Sequence, residues 1–189
     1  GEIKMIKQLL SETRSRMKKT VETMEAKLRA IRTGRASPAL IEQVMVDYYG
    51  TATPLQQLAV ISAPEPQLLT VRPYDPGSIE EIERAILKSE VGLTPSNDGR
   101  IVRLPIPRLT EERRRELAKM VRQRIEEGKI ALRNIRRETL DDLREFEDEK
   151  LVSEDEFYRA KEDLQEITDK YTDLMDEISD RKQKEILED

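Results

Sequence analysis

Apolar residues recur at Leu117, Val121, Ile125, Leu132 and Ile135, in steps of three, four and seven. At 3.6 residues per turn they form one stripe, which predicts a long amphipathic helix running to about Asp148. Thr110 suits its N-cap, and Glu111 and Glu112 suit its positive end. An earlier helix is predicted over residues 2–31, where Ile3, Leu10, Met17, Met24 and Ile31 recur every seven, supported by Ile6, Val21 and Leu28. It ends at Thr33-Gly34, a glycine suited to a left-handed exit. A last helix opens on a capping box, Ser153 with Glu156. It carries Phe157, Ala160, Leu164, Ile167, Tyr171, Leu174 and Ile178 on one face. None of the three stripes can be buried alone, so an antiparallel three-helix bundle is the economical packing.

The stretch between the first two helices has a different period. Val44 to Tyr49, Leu58 to Ser62, Leu68 to Arg72 and Ile101 to Leu104 read as strands, and Gly50, Ala63-Pro64-Glu65-Pro66 and Asn97-Asp98-Gly99 as turns. Ser78-Ile79-Glu80-Glu81 reads as a capping box that opens a short helix to about Lys88. Most of the prolines and five of the seven glycines fall between residues 34 and 107. The fold class is therefore α+β. A bundle made of 1–31 and 108–189 holds an inserted α+β domain at 32–107, with hinge straps at 32–35 and 104–108. Arg32, Thr33 and Gly34 form one strap, and Pro105 and Pro107 stiffen the other. Two straps side by side permit a hinge about one axis, so an elongated molecule whose domains change angle is expected.

Composition supports this reading. Hydrophobic residues make up 37% and charged residues 39%, which suits solvated helix faces better than one large core. The net charge of −5 hides strong segregation. Residues 100–137 carry 13 Lys/Arg against 5 Asp/Glu, and residues 138–189 carry 8 against 21. Cys and His are both absent, which removes thiol nucleophiles, histidine bases and nearly every zinc site. No catalytic residue, metal site or cofactor is expected. No apolar run approaches membrane-spanning length, so no membrane partner is expected, and a cytoplasmic monomer is. Gly1 in place of Met fits a processed start, which leaves an organelle stroma or matrix open.

The basic segment coincides with the long helix. Arg115, Lys119, Arg122, Lys129, Arg133, Arg136 and Arg137 fall within roughly 100° of arc, centred roughly 115° from the apolar stripe. The ordinary reading of such a run is a solvated face. Against it stands sidedness, since an ordinary face interleaves both signs and here the carboxylates Glu112, Glu116 and Glu126 are placed on the flanks. Arginine also outnumbers lysine, which suits bidentate phosphate contact. Arg32 and Arg35 read equally as cations complementing a helix C-terminus and as RNA contacts. Tyr48-Tyr49 reads as one buried and one surface strand residue, or as a base-stacking platform. The acidic tract Glu138 to Glu149 and the run Glu154-Asp155-Glu156 lack any EF-hand spacing.

Several segments together resemble the ribosome recycling factor family. They are Leu28-Arg29-Ala30-Ile31-Arg32-Thr33-Gly34-Arg35-Ala36-Ser37-Pro38, Tyr48-Tyr49-Gly50-Thr51-Ala52-Thr53-Pro54-Leu55, Val91-Gly92-Leu93-Thr94-Pro95, Pro107-Arg108-Leu109-Thr110-Glu111-Glu112-Arg113-Arg114 and Ala131-Leu132-Arg133-Asn134-Ile135-Arg136-Arg137. The resemblance runs in order from about residue 5 to the end. It implies an L-shaped, tRNA-sized protein with a three-helix bundle and an inserted β/α/β domain. It implies a translation factor that binds large-subunit RNA after termination. With GTP-bound elongation factor G it splits the spent ribosome, hydrolysing nothing itself. By the same resemblance Arg136 is the foremost RNA contact, with Arg133 beside it; Arg32 and Arg35 tip towards contact. The rival class is a helical adaptor or co-chaperone offering a helix face to a protein.

Overall fold

The computed structural model describes residues 2–187, with side chains from Lys4 onward, so the burial of Ile3 lies outside the described residues. In chain order the elements are α1 (Glu2–Arg29), β1 (Met45–Tyr48), β2 (Thr51–Pro54), α2 (Leu55–Leu58), β3 (Ala59–Glu65), β4 (Leu68–Pro73), α3 (Ile79–Lys88), β5 (Ser96–Asn97), β6 (Val102–Pro105), α4 (Glu111–Asp148) and α5 (Glu154–Leu187). The chain divides into two compact units, Gly1–Leu28 with Leu117–Lys184, and Arg29–Glu116 with Glu185–Asp189.

The first unit is helical. Met17, Val21 and Leu28 of α1, Leu117, Val121, Ile125, Leu132 and Ile135 of α4, and Phe157, Ala160, Leu164 and Ile167 of α5 are buried, as the periodicity predicts. Contacts between helices give their directions. The Thr13 and Thr139 hydroxyls share a hydrogen bond at 2.6 Å, and Arg16 pairs with Glu138, so numbers fall along α4 as they rise along α1. Gln183 Nε2 donates to the Ala118 carbonyl at 3.0 Å and Lys129 pairs with Asp176, so α5 is antiparallel to α4. Gly128 fills the seven-residue gap in the α4 stripe. A Cβ there would meet Met175 Cε at 2.8 Å and Met24 Cε at 3.2 Å, so two methionine ends occupy the space a side chain would take.

Several details differ from the sequence reading. Helix α1 stops at Arg29, and Ile31 is half-buried beyond it. In α5, Leu174 is half-buried and Met175 fully buried, so the stripe turns by one residue there. Thr13 and Thr139 sit in the core because each hydroxyl satisfies the other, a pairing that a hydrophobic pattern cannot reveal.

The second unit holds a four-stranded antiparallel sheet of order β3-β4-β6-β5 and a separate hairpin, β1-β2. Ile79, Ile82 and Ile86 on one face of α3 join Leu69, Val71, Val102 and Leu104 in its core. This gives the expected β/α/β unit its content: the short helices α2 and α3 and two antiparallel sheets. The polar strand β2 and the two-residue β5 carry too little alternation to be read beforehand. Leu55–Leu58 is a helical turn, and β3 starts at Ala59 and continues through Pro64 to Glu65. A proline is tolerated there because β3 is an edge strand with a register shift between Ser62 and Glu65.

The capping box expected at Ser78 does not form. Ser78 Oγ donates to the Asp75 carbonyl at 2.6 Å, and Asp75 accepts from the Gly77 amide at 2.9 Å. Pro105 closes β6 opposite Leu68, and the Ile106 amide donates to Gln67 O at 2.8 Å. The first three residues of the segment read as a strap, Leu104, Pro105 and Ile106, are thus pinned to the sheet. Among the described residues no helix is long and apolar enough to cross a membrane.

Candidate nucleic-acid interface

Helix α4 is positioned by its cap and its stripe. The Arg113 amide donates to Thr110 Oγ1 at 3.1 Å, as the sequence predicts, and the stripe turns the basic residues outward. Lys119, Arg122, Arg133 and Arg137 are exposed, and Lys129 and Arg136 are half-buried. Lys119, Arg122, Arg136 and Arg137 make no ion pair or side-chain hydrogen bond among the described residues. Lys129 is held by Asp176 of α5. Arg133 Nη2 lies 2.9 Å from Glu126 Oε1.

That last pair corrects the placement of Glu126. Residues seven apart lie on the same face two turns away, so Glu126 stands within the basic ridge rather than on its flank. The pair is more than half exposed on both sides and contributes at most about 1 kcal/mol, so an arriving phosphate can displace the carboxylate. The ridge also continues to Arg144, exposed and unpaired among the described residues, seven positions beyond Arg137. The same spacing rule identifies it from sequence, but it lies past the run of adjacent cations that draws the eye.

Arg115 belongs to the first turns of α4, which group with the α+β unit, and its Nη2 lies 3.4 Å from Glu111 Oε1 with both side chains well exposed. Arg32 is half-buried and Arg35 exposed, and neither has an ion-pair partner among the described residues. Both lie beyond the end of α1, so neither sits in its last turn to complement its dipole. Thr33 is buried. Gly34 has φ +84°, and a Cβ there would lie 3.3 Å from the Leu109 amide nitrogen. Glycine is therefore required by conformation and by the passing chain, five residues after the helix has ended. Arg35 and Arg108 line a groove of about 740 Å³ with Pro64 and Pro66, where Arg108 Nε donates to Gln67 Oε1.

The tyrosine pair has a local role. Tyr49 and Gly50 both have positive φ, at 49° and 87°, which makes the β1–β2 turn one of the mirror-image hairpin turns. A bulky residue is costly in that conformation. The Tyr48 and Tyr49 hydroxyls both donate to Asp75 Oδ2, at 3.2 and 2.9 Å, and tie the turn to the start of α3. The Gly77 amide and then the Tyr49 hydroxyl hold the Asp75 carboxyl below its ordinary range. Tyr48 is half-buried at the end of β1 and Tyr49 is exposed in the turn, so the pair is not the buried-and-surface strand pair read from the sequence. Among the described residues no group of carboxylates is placed to hold a metal ion.

Comparison with known proteins follows the same outline. A sequence profile described as ribosome recycling factor matches residues 24–187. The ribosome-recycling factor of Roseiflexus sp. (strain RS-1) is 54% identical over 97% of this chain and all of its own. That of Natranaerobius thermophilus is 52% identical over 94% of this chain and 97% of its own. A solution structure of a ribosome recycling factor superposes with a TM-score of 0.81 at 39% identity, covering 96% of this chain and 97% of its own. A second match is the T. thermophilus factor, described with E. coli elongation factor G bound to the E. coli post-termination complex. It has a TM-score of 0.69 at 47% identity, covering 96% of this chain and 98% of that one. This chain belongs to the ribosome recycling factor family.

Proposed function

We propose that this protein binds the large ribosomal subunit after termination and, with elongation factor G and GTP, splits the spent ribosome into subunits. Family membership supports the reading, and so does the post-termination complex described for the T. thermophilus relative. The observation that carries the mechanism is the set of cations on α4, four of them without a partner among the described residues. Lys119, Arg122, Lys129, Arg133, Arg136 and Arg137 neutralise phosphates of ribosomal RNA. The four arginines give bidentate contact through their guanidinium forks, and the Lys119 and Lys129 ammonium groups act as point charges. Arg115, Arg32 and Arg35 supplement the grip. The inserted domain is the lever that the translocase pushes. Arg32, Thr33, Gly34 and Pro107 form the hinge that passes the force on, with Pro105 anchoring one strap to the sheet.

The chain performs no bond chemistry in this scheme; GTP is consumed by the translocase. Its place of action is wherever such ribosomes are, the cytoplasm or an organelle. A sedimentation assay on post-termination ribosomes tests the reading. The ribosome peak converts to subunits only when the protein, the translocase and GTP are all present. Ribosomes that stay whole with all three present, or that split as well without this chain, overturn it.

A further inference from the structure

The helical unit carries a second cationic feature, on the flank of α4 away from the ridge. It is a groove of about 560 Å³ between α1 and α4. Its α1 wall presents Arg16, Lys19, Thr23 and Lys27. These positions fall within roughly 80° of arc, so the wall is one helix face. Its floor is low because Gly128 has no side chain and Ala131 only a methyl. The ridge lies towards α5, where Lys129 pairs with Asp176, whereas the groove lies towards α1, where Arg16 pairs with Glu138.

Two of the three charges of this wall, Lys19 and Lys27, are left open among the described residues. Lys18, one residue away on the neighbouring face, has Glu22 at i+4 as its partner. Lys19 and Lys27 have Thr23 at i+4 and i−4 instead, and neither makes an ion pair among the described residues. The Arg16 pair with Glu138 is more than half exposed on both sides and can open. One carboxylate, Glu127, lines the groove against these three cations. Ammonium, hydroxyl and ammonium thus stand in line over about 12 Å of helix axis. This is the donor pattern that phosphate oxygens accept. An acidic peptide would want an apolar pocket for an anchoring side chain. Here the apolar lining is a shallow floor of Gly128, Ala131 and the buried Met24 and Ile135, which offers no such pocket.

We propose that this groove seats a second run of RNA backbone, so that ribosomal RNA holds the bundle on two flanks of α4. This rests on the ribosome-binding reading above and extends it to a face that the ridge does not include. The natural absence of cysteine makes the test clean, because Thr23→Cys offers a single attachment point for an iron–EDTA tether. Ile130→Cys, at the edge of the ridge and 45% exposed, is the companion. Each labelled full-length chain is bound to salt-washed large subunits and hydroxyl radicals are generated.

The expected result is ribosomal RNA cleavage from both tethers, at different nucleotides. The double variant Lys19→Gln/Lys27→Gln is expected to weaken binding and flatten the log–log salt slope by about 1.5, at 0.7–0.9 per phosphate contact, with its Tm unchanged. Cleavage of RNA from Ile130 but not from Thr23 overturns the proposal. So does cleavage of a ribosomal protein in place of RNA from Thr23, or a double variant with wild-type affinity and slope. If wild-type protein does not bind the subunits at all, the ribosome reading itself fails, and the groove proposal falls with it.

Discussion

Gly128 shows how one absent side chain shapes both core and surface. Its α4 position would carry an apolar residue by periodicity, yet Met175 and Met24 already fill the volume. Alanine there gains about 1 kcal/mol of helix propensity and must displace flexible methionine ends, so the two effects nearly cancel. Gly128→Ala is expected within about 1 kcal/mol of wild type in urea unfolding, and Gly128→Leu is expected to lose more than about 2 kcal/mol through overpacking. Equal stability of the leucine variant would show that the space is not filled as described.

Asp98 gives a prediction in pH. Arg103 first, then the Ile101 and Arg100 amides, hold its carboxyl well below the usual carboxylate range. A depressed folded pKa contributes stability that is complete above the unfolded pKa and is lost as pH falls towards the folded one. The contribution is therefore constant near neutrality and declines below about pH 4. Asp98→Asn should have a lower Tm at pH 7 and a smaller acid-induced fall than wild type. Parallel Tm–pH curves would remove this role.

Residues of this kind were partly legible in advance. Gly34 was marked as left-handed by its type, but its neighbour Leu109 lies 75 positions away in sequence. The Glu126–Arg133 pair was available from the wheel and was misplaced by treating carboxylates as flank residues.

Among the elements, two identical motifs behave differently. At α5 the box closes both ways: the Glu156 amide donates to Ser153 Oγ at 3.1 Å and the Ser153 amide to Glu156 Oε2 at 3.3 Å. At α3 the cap residue Ser78 has φ −91° and ψ −3°, already helical, because a 3-10 turn from Pro76 leads into it. The hydroxyl therefore turns back to Asp75 and cannot reach forward. A capping box needs an extended cap residue, and sequence spacing alone does not report that angle. Ser153→Ala is expected to cost about 1 kcal/mol in urea unfolding, and Ser78→Ala to leave no free N-terminal amide of α3 that Ser78 had served. A Ser153→Ala midpoint unchanged from wild type would contradict the closed box. The long helices were legible because each repeats its stripe many times. The strands β2 and β5 were not, because strands of two to four residues hold too few repeats.

Over the whole molecule, charge is sorted by segment in a way that the formal net of −5 conceals. Basic residues gather on α4, while the tract after Arg137 is acidic. Periodicity alone places most of the ridge, and the family motifs give it a partner. What neither could supply was which cations are already engaged inside the fold: Lys129 and Arg133 are, whereas Lys119, Arg122, Arg136 and Arg137 have no partner among the described residues. The most direct test is binding of wild type and Arg136→Ala to salt-washed large subunits across a salt series, with thermal unfolding in parallel. With the six α4 cations as phosphate contacts the wild-type log–log slope should reach about −4 to −5, at 0.7–0.9 per contact, and steeper with any further contact. Arg136→Ala should weaken binding by about 1–3 kcal/mol and flatten the slope by nearly one, with the Tm retained. An intact variant that binds with wild-type affinity and the same slope would contradict the grip on RNA assigned to this ridge.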